Sequence, residues 1–318
     1  MIDIATIGDP RSRNILLYIA GTHGVEGFMG SAIQHAILSR LLEPPKGYAL
    51  VLIHCLNPWG MANIRRTNEH NVDLNRNCTV TDDERAGAPP GYEQLRNILI
   101  PDEPSTFPSF CLKTLAKVIQ HGFPQAKQAV TGGQYIDQQG LFYGGQVLQQ
   151  ELQIVRTWAK EHFTHSERIL VVDLHSGLGP FAQDTLLVDS HADTEQHSRI
   201  NTIFPEHTIH GPDPRKSFAY ATRGTLSNLL PPILPDTRID YVVHEFGTLH
   251  AFKVLYALVH ENFLFFRPNA ASETRGTRPG ATLLYEAFCP PSAAWRENVI
   301  HGGLKLFSAA EVALTGRC

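Results

Sequence analysis

His23 and Glu26 stand three residues apart in the stretch Gly21-Thr22-His23-Gly24-Val25-Glu26-Gly27 and offer an imidazole and a carboxylate to a common ion. At that spacing two side chains converge from a first helical turn or from the loop before it. A catalytic zinc needs a third protein ligand and one position open to water. His175 is the choice for that ligand, because Val171, Asp173 and His175 alternate onto one face where a strand ends. His250 and His260 read as surface positions, and His54 and His70 as weaker competitors. Glu245 closes the apolar run Tyr241-Val242-Val243 and reads as a desolvated general base or as half of a structural ion pair. Beside a zinc-activated water, a carboxylate can accept the proton and pass it to a leaving nitrogen. The loop from Arg65 to Asn77 adds Arg65, Arg66 and Arg76, and arginines near a pocket can polarise a carbonyl or grip a carboxylate. The chemistry these groups would perform together is hydrolysis of an amide bond.

The elements that must hold them alternate in type. Residues 15–20 are an apolar run without helical period, as expected of a strand covered on both faces. An edge strand is expected over 2–7, and a helix over 27–42 with Phe28, Ile33, Ile37, Leu38 and Leu41 on its apolar side. Residues 48–56 read as a strand running into a turn at Asn57-Pro58-Trp59-Gly60, and 61–77 as an ordered loop rich in Asn and Arg. Prolines mark 79–108 as a surface insertion with at most a short helix. Helices over 109–128 and 147–162 flank a glycine-rich loop at 132–145. Strands follow at 168–174, 185–189 and 239–246, with helices at 192–204, 249–266 and 293–312. Such alternation predicts an α/β fold: one three-layer α/β/α domain over residues 1–318, built on a mixed, largely parallel sheet. Sites in such sheets lie beyond the carboxyl ends of the strands, where His23, His175 and Glu245 all fall.

Composition narrows the function further. With 27 Lys and Arg against 31 Asp and Glu, the formal charge of −4 gives no global basic field for nucleic acid or for an anionic membrane. The five cysteines are scattered without a CxxC pair, which fits a reduced, cytoplasmic protein and argues against a thiolate zinc site. Neither a signal peptide nor a membrane span is expected at the N-terminus. The sequence has no His-Glu-x-x-His, no Gly-x-Ser-x-Gly elbow and no phosphate-binding Gly-x-x-x-x-Gly-Lys. Ser176 beside His175 reads as a local hydrogen-bond partner.

Several motifs stand in an informative order: His23-Gly24-Val25-Glu26, Asn57-Pro58-Trp59-Gly60, Arg66-Thr67-Asn68, Val72-Asp73-Leu74-Asn75-Arg76-Asn77, Asp173-Leu174-His175-Ser176, and Glu245. In that order they resemble the zinc carboxypeptidases of the M14 type, and most of all the DUF2817 branch, related to succinylglutamate desuccinylase and aspartoacylase. The resemblance implies a zinc-carboxypeptidase-like fold with one Zn2+ per chain held by His23, Glu26 and His175, and Glu245 as general base. It implies that Arg66 stabilises the oxyanion, that Asn75 and Arg76 hold a substrate carboxylate, and that Asp73 fixes one ligating imidazole. Tyr220 is the counterpart of the substrate-binding tyrosine on a mobile loop, by a looser match. The implied substrate is a small peptide with a free carboxylate. The alternatives are an N-acyl amino acid, or a catalytically inactive metal-binding scaffold. Two imidazoles and a carboxylate also suit divalent ions other than zinc.

Overall fold

The chain enters as strand β1 (Asp3–Ile7), which pairs antiparallel at the sheet edge, and continues as β2 (Asn14–Ala20) at its centre. The computed structural model describes residues 1–79, 81–189, 192, 194–211, 222–267 and 280–316. After β2 come α1 (Gly27–Arg40), β3 (Ala49–His54), α2 (Pro58–Ala62), α3 (Tyr92–Leu99), α4 (Phe107–His121), α5 (Phe123–Thr131) and α6 (Gln150–His162). The second half holds β4 (Arg168–Ser176), β5 (Asp184–Leu187), α7 (Thr194–Ile203), β6 (Ile209–His210), β7 (Arg238–Phe246), α8 (Ala251–Phe266), α9 (Ala281–Phe288) and α10 (Ala293–Thr315).

The described strands form one sheet in the order β1-β3-β2-β4-β7-β5-β6. Strands β3, β2, β4 and β7 run parallel, while β1 and β5 pair antiparallel to their neighbours. The sheet is thus mixed and mostly parallel, as the alternation of elements requires. Two layers of helix cover it because β2 is apolar on both sides. Leu16, Tyr18 and Ala20 meet α1 and α10 through Ile33, Ile37, Leu306 and Phe307. Ile15, Leu17 and Ile19 face α6 through Leu152, Val155 and Ala159.

Local structure departs from the sequence reading in instructive places. Asn57-Pro58-Trp59-Gly60 is more than a turn: Pro58 opens the short helix α2, and Asn57 Oδ1 caps it by accepting the Gly60 N–H at 2.8 Å. The helix expected over 109–128 is two helices, broken at Gly122 with φ +81°, a left-handed value that glycine adopts without strain. The Pro-rich segment does carry one short helix, α3, whose Tyr92, Leu95 and Leu99 are buried in a third apolar cluster with α4, α5, α8 and α9. Strand β6 and helix α9 are further elements not expected from the sequence, although Ala281, Leu284, Ala287 and Phe288 of α9 recur at helical spacing. No described helix is long and apolar enough to cross a membrane, and the four described cysteines are free.

Candidate metal centre and active-site cavity

Sheet topology opens the site. From β2 the chain moves to β3 on one side, and it later returns to place β4 on the other. The connections leaving the carboxyl ends of β2 and β4 therefore diverge and leave a crevice between them. His23 follows β2, and His175 is the penultimate residue of β4, one register step beyond the pairing of Ala20 with Leu174. Strand β7 then sets Glu245 directly opposite His175. Val171, Asp173 and His175 share the sheet face toward α6, as do Tyr241 and Glu245 on β7, since alternate residues share a face.

Three side chains converge there. His23 Nδ1 lies 2.9 Å from Glu26 Oε1 and 3.2 Å from His175 Nδ1, and His175 Nδ1 is 3.2 Å from Glu26 Oε2. The three donor atoms lie within 4.8 Å of one another, and no other such group occurs among the described residues. All three side chains are buried. Burial raises the Glu26 pKa, yet the imidazoles of His23 and His175 more than offset it and hold the carboxyl below the usual range.

The far nitrogens fix the rings. His175 Nε2 lies 2.7 Å from Asp173 Oδ2, and the same carboxylate accepts from Tyr241 Oη at 2.6 Å and Thr22 Oγ1 at 2.7 Å. Burial, with Asp173 beside it, raises the Tyr241 pKa well above the ordinary value and keeps its hydroxyl a donor. His23 Nε2 lies 3.2 Å from Asp73 Oδ1 and 2.7 Å from Arg66 Nη2. An Nε2–H serves Asp73, whereas an Nε2 lone pair accepts from Arg66, so the two neighbours favour opposite tautomers of His23. With both Nε2 protons on the aspartates, both Nδ1 lone pairs and the Glu26 oxygens face one another. A cation satisfies that arrangement, and two imidazoles with one carboxylate form a set that zinc takes. The residues fit the metal.

Sequence reasoning placed Asp73 against an imidazole only through the resemblance, and the structure shows that contact. It gave Asp173 no role, although its position two residues before His175 on a strand was the signal. Asp173→Asn is expected to weaken the affinity of this cluster for a divalent metal ion by about 10- to 100-fold, the usual effect of losing such an orienting carboxylate. Competition against a chromophoric chelator measures this, and an unchanged affinity would remove Asp173 from the account.

The motifs before the insertion build the cradle. The Gly24 and Val25 N–H groups donate to Arg66 O and Arg65 O at 3.2 and 2.8 Å, and Arg65 N–H donates to Gly60 O at 2.7 Å. Asn57 Nδ2 donates to Arg66 O at 3.3 Å. The approach is so close that a Cβ on Gly24 would sit 2.1 Å from the Gly60 carbonyl carbon. Gly24→Ala must therefore separate the His23–Glu26 turn from α2. A loss of about 1–3 kcal/mol in denaturant unfolding is expected, together with weaker metal binding. Wild-type stability in that variant would contradict the close packing.

The three arginines part company. Arg65 is buried away from the cavity, with Nη2 on Asn71 and Asn262 at 2.9 and 3.0 Å and Nε 3.2 Å from Glu261, so it clamps the loop to α8. This corrects the expectation of three arginines at the pocket. Arg66 lines the cavity: Nε donates to Asp73 Oδ2 at 3.0 Å, and Nη1 lies 3.4 Å from Glu26 Oε1. Asp73 is raised by burial, but Arg66 first, then His23 and Arg76, hold it well below the ordinary carboxyl value. Arg76 also borders the cavity, while Nε and Nη2 donate to Thr131 O at 3.1 and 2.8 Å and Nη1 to Asn75 O at 2.6 Å. Asn75 lines the cavity too, and its Oδ1 accepts the Leu226 N–H at 2.9 Å. The guanidiniums of Arg66 and Arg76 lie 5.0 and 5.6 Å from the Phe142 ring centroid, a contact the sequence did not suggest.

Glu245 is buried at the cavity wall, and its Oε1 accepts the Leu178 N–H at 2.8 Å. Burial, with Glu26 close by, pushes its carboxyl up to about 8. Ser176 takes a structural part, its N–H donating to Glu26 Oε2 at 3.0 Å and its hydroxyl to Phe288 O at 2.8 Å. His250 reaches the cavity rim, whereas His54, His70 and His260 are not among its lining residues. Tyr220 lies outside the described residues.

A family model described as a protein of unknown function (DUF2817) matches residues 1–302. The chain belongs to the DUF2817 family. No protein of curated function matches this DUF2817 chain. Among solved structures it is similar to a carboxypeptidase A from Helicoverpa armigera, with 13% identity and a TM-score of 0.49, covering 99% of this chain and 66% of that one. It is similar to the murein-tripeptide amidase MpaA from Escherichia coli O157, with 16% identity, a TM-score of 0.39 and 85% of each chain covered. A third likeness is to a succinylglutamate desuccinylase from a Silicibacter species, with 12% identity and a TM-score of 0.40, covering 88% of this chain and 64% of that one.

Proposed function

We propose that this chain is a zinc-dependent hydrolase of an amide bond, with His23, Glu26 and His175 as the metal ligands, acting as one catalytic domain. The convergence of those three buried donors at the cavity carries the reading, with each imidazole backed by a carboxylate and Glu245 opposite His175 on the next strand. Zinc held there would supply Lewis acidity toward a water and an amide carbonyl.

The chain's own groups supply the rest. Glu245 takes the proton of the attacking water and returns it to the departing amine. Its hydrogen bond from Leu178 N–H holds one oxygen, and the other is assigned the proton transfer. Arg66, a cation on the cavity wall beside His23 and Glu26, stabilises the negative charge that develops on the carbonyl oxygen. Asp73 and Asp173 hold the two imidazoles in orientation and take no proton from substrate. The charge of Arg76, with Asn75, draws a substrate carboxylate to that end of the cavity. The substrate is then a small peptide with a free carboxylate, cleaved in the manner of a carboxypeptidase. An N-acyl amino acid is the second reading, favoured by the breadth of the apolar wall beside the metal cluster.

The test is an amine-release assay on protein of measured metal content, across short peptides and N-acyl amino acids. Release from one class, lost on chelation and restored by zinc, is the expected result. Full zinc content with no release from any member would favour a metal-binding scaffold.

A further inference from the structure

The cavity that holds the metal cluster has a volume of about 650 Å³. Clefts of roughly 300–1,000 Å³ enclose drug-sized ligands, so the space far exceeds an amide and a carboxylate. Its excess wall is apolar and comes from helices that lie outside the sheet layers. Leu95 and Leu99 come from α3, Val118 from α4, Ala126 from α5, and Leu255 and Leu258 from α8. Each helix turns part of its apolar face to the shared cluster and leaves part facing the open cavity. Phe123, 59% exposed, stands on the rim. Thr114 and the half-buried Lys127 also reach this wall, and a lysine stem can lie along apolar surface while its ammonium reaches out. Apolar surface left to water is unfavourable, and an apolar ligand group placed on it is stabilised in proportion to the area covered.

Most charged groups of the cavity, among them Arg66, Arg76, Asp189 and Glu245, lie off this wall, whereas α3, α4, α5 and α8 line it with hydrocarbon apart from Thr114, Lys127 and Thr131. We infer that this wall receives a lipophilic group attached to the scissile amide, so that the substrate is an amphiphile with its polar end at the arginines. The inference rests on the amide-hydrolase reading and names the class of substrate within it. The lipophilic group belongs to the acyl side or to the amine side of the amide, and matched compounds tell the two apart.

Binding is measured on zinc-loaded Glu245→Gln protein, which avoids turnover, by displacement of the fluorescent fatty acid cis-parinarate. The competitors are N-acetylglycine, N-octanoylglycine for the acyl arm, and N-acetyl-2-aminodecanoate for the amine arm. A methylene fully buried is worth about fourfold in affinity, so at least tenfold tighter binding over N-acetylglycine is expected on one arm. Val118→Glu and Leu255→Glu, both at half-buried positions on different helices, are each expected to erase most of that ratio. Equal affinity of long and short compounds on both arms would overturn the inference, as would ratios unmoved by both substitutions. Wild-type protein is then assayed for hydrolysis of the same compounds. Tight long-chain binding without any cleavage rejects the reaction and leaves the lipophilic wall in place. Cleavage without preference for the long compounds rejects the wall and leaves the reaction.

Discussion

Glu245→Gln is expected to lower kcat by about 10²- to 10⁴-fold, the usual contribution of a positioned proton acceptor, and to leave the metal content of the proposed hydrolase unchanged. Glutamine has nearly the shape of glutamate, and its side-chain oxygen can still accept the Leu178 N–H that Glu245 Oε1 takes at 2.8 Å. What it lacks is basicity. A carboxylate at this place is held at a cost, because burial and the nearby Glu26 both oppose its charge, so it takes a proton readily. Glu245 is not one of the three donor residues His23, Glu26 and His175, so metal binding is expected to persist. Metal analysis and steady-state rates on the same preparation decide the matter. A variant with near-normal kcat would move the base elsewhere in the cavity.

His175→Ala is expected to remove both metal and turnover. The imidazole supplies one of the three donors, and it is also the partner of Asp173 Oδ2 at 2.7 Å. Two protein ligands hold zinc far less firmly than three, so metal content should fall well below one per chain after dialysis. A stability cost follows as well. Asp173 keeps the hydroxyls of Tyr241 and Thr22 but loses its ring partner in a buried site, where a weakened carboxylate costs about 1–3 kcal/mol. Metal analysis separates the first effect, and denaturant unfolding of metal-free wild type against variant separates the second. Retention of stoichiometric zinc by the variant would place His175 outside the coordination sphere.

The amino-acid sequence by itself determined the central strands of the sheet and the residues near their carboxyl ends. Residues 15–20 are apolar at every position, and a run this short between turn-forming residues suits a strand covered on both faces. Two-residue periodicity likewise put Asp173 and His175 on one side of β4, and Tyr241 and Glu245 on one side of β7. Once those strands lie parallel on one side of β2, His175 and Glu245 are neighbours and the end of β2 lies beside them, while the contacts of Gly24 and Val25 with Arg66 and Arg65 bring His23 and Glu26 in.

Tertiary structure alone decided the fate of the arginines and the shape of the cavity. Arg65 and Arg66 are adjacent in the chain, yet one is clamped to Glu261 and Asn262 of α8 while the other lies against His23 and Glu26. Periodicity reports which face a residue occupies, but the partner of a charge is set by elements distant in sequence, here nearly two hundred residues away for Asn262. The same holds for the Pro-rich stretch. The sequence allowed it at most a short helix on the surface, whereas the placement of Leu95 and Leu99 at the wall of the cavity beside His23, Glu26 and His175 depends on α4, α5 and α8 closing around it. Local sequence fixes an apolar face. Only the assembled helices determine whether that face ends in a sealed core or in a space shaped for a ligand, because burial is a property of the neighbours.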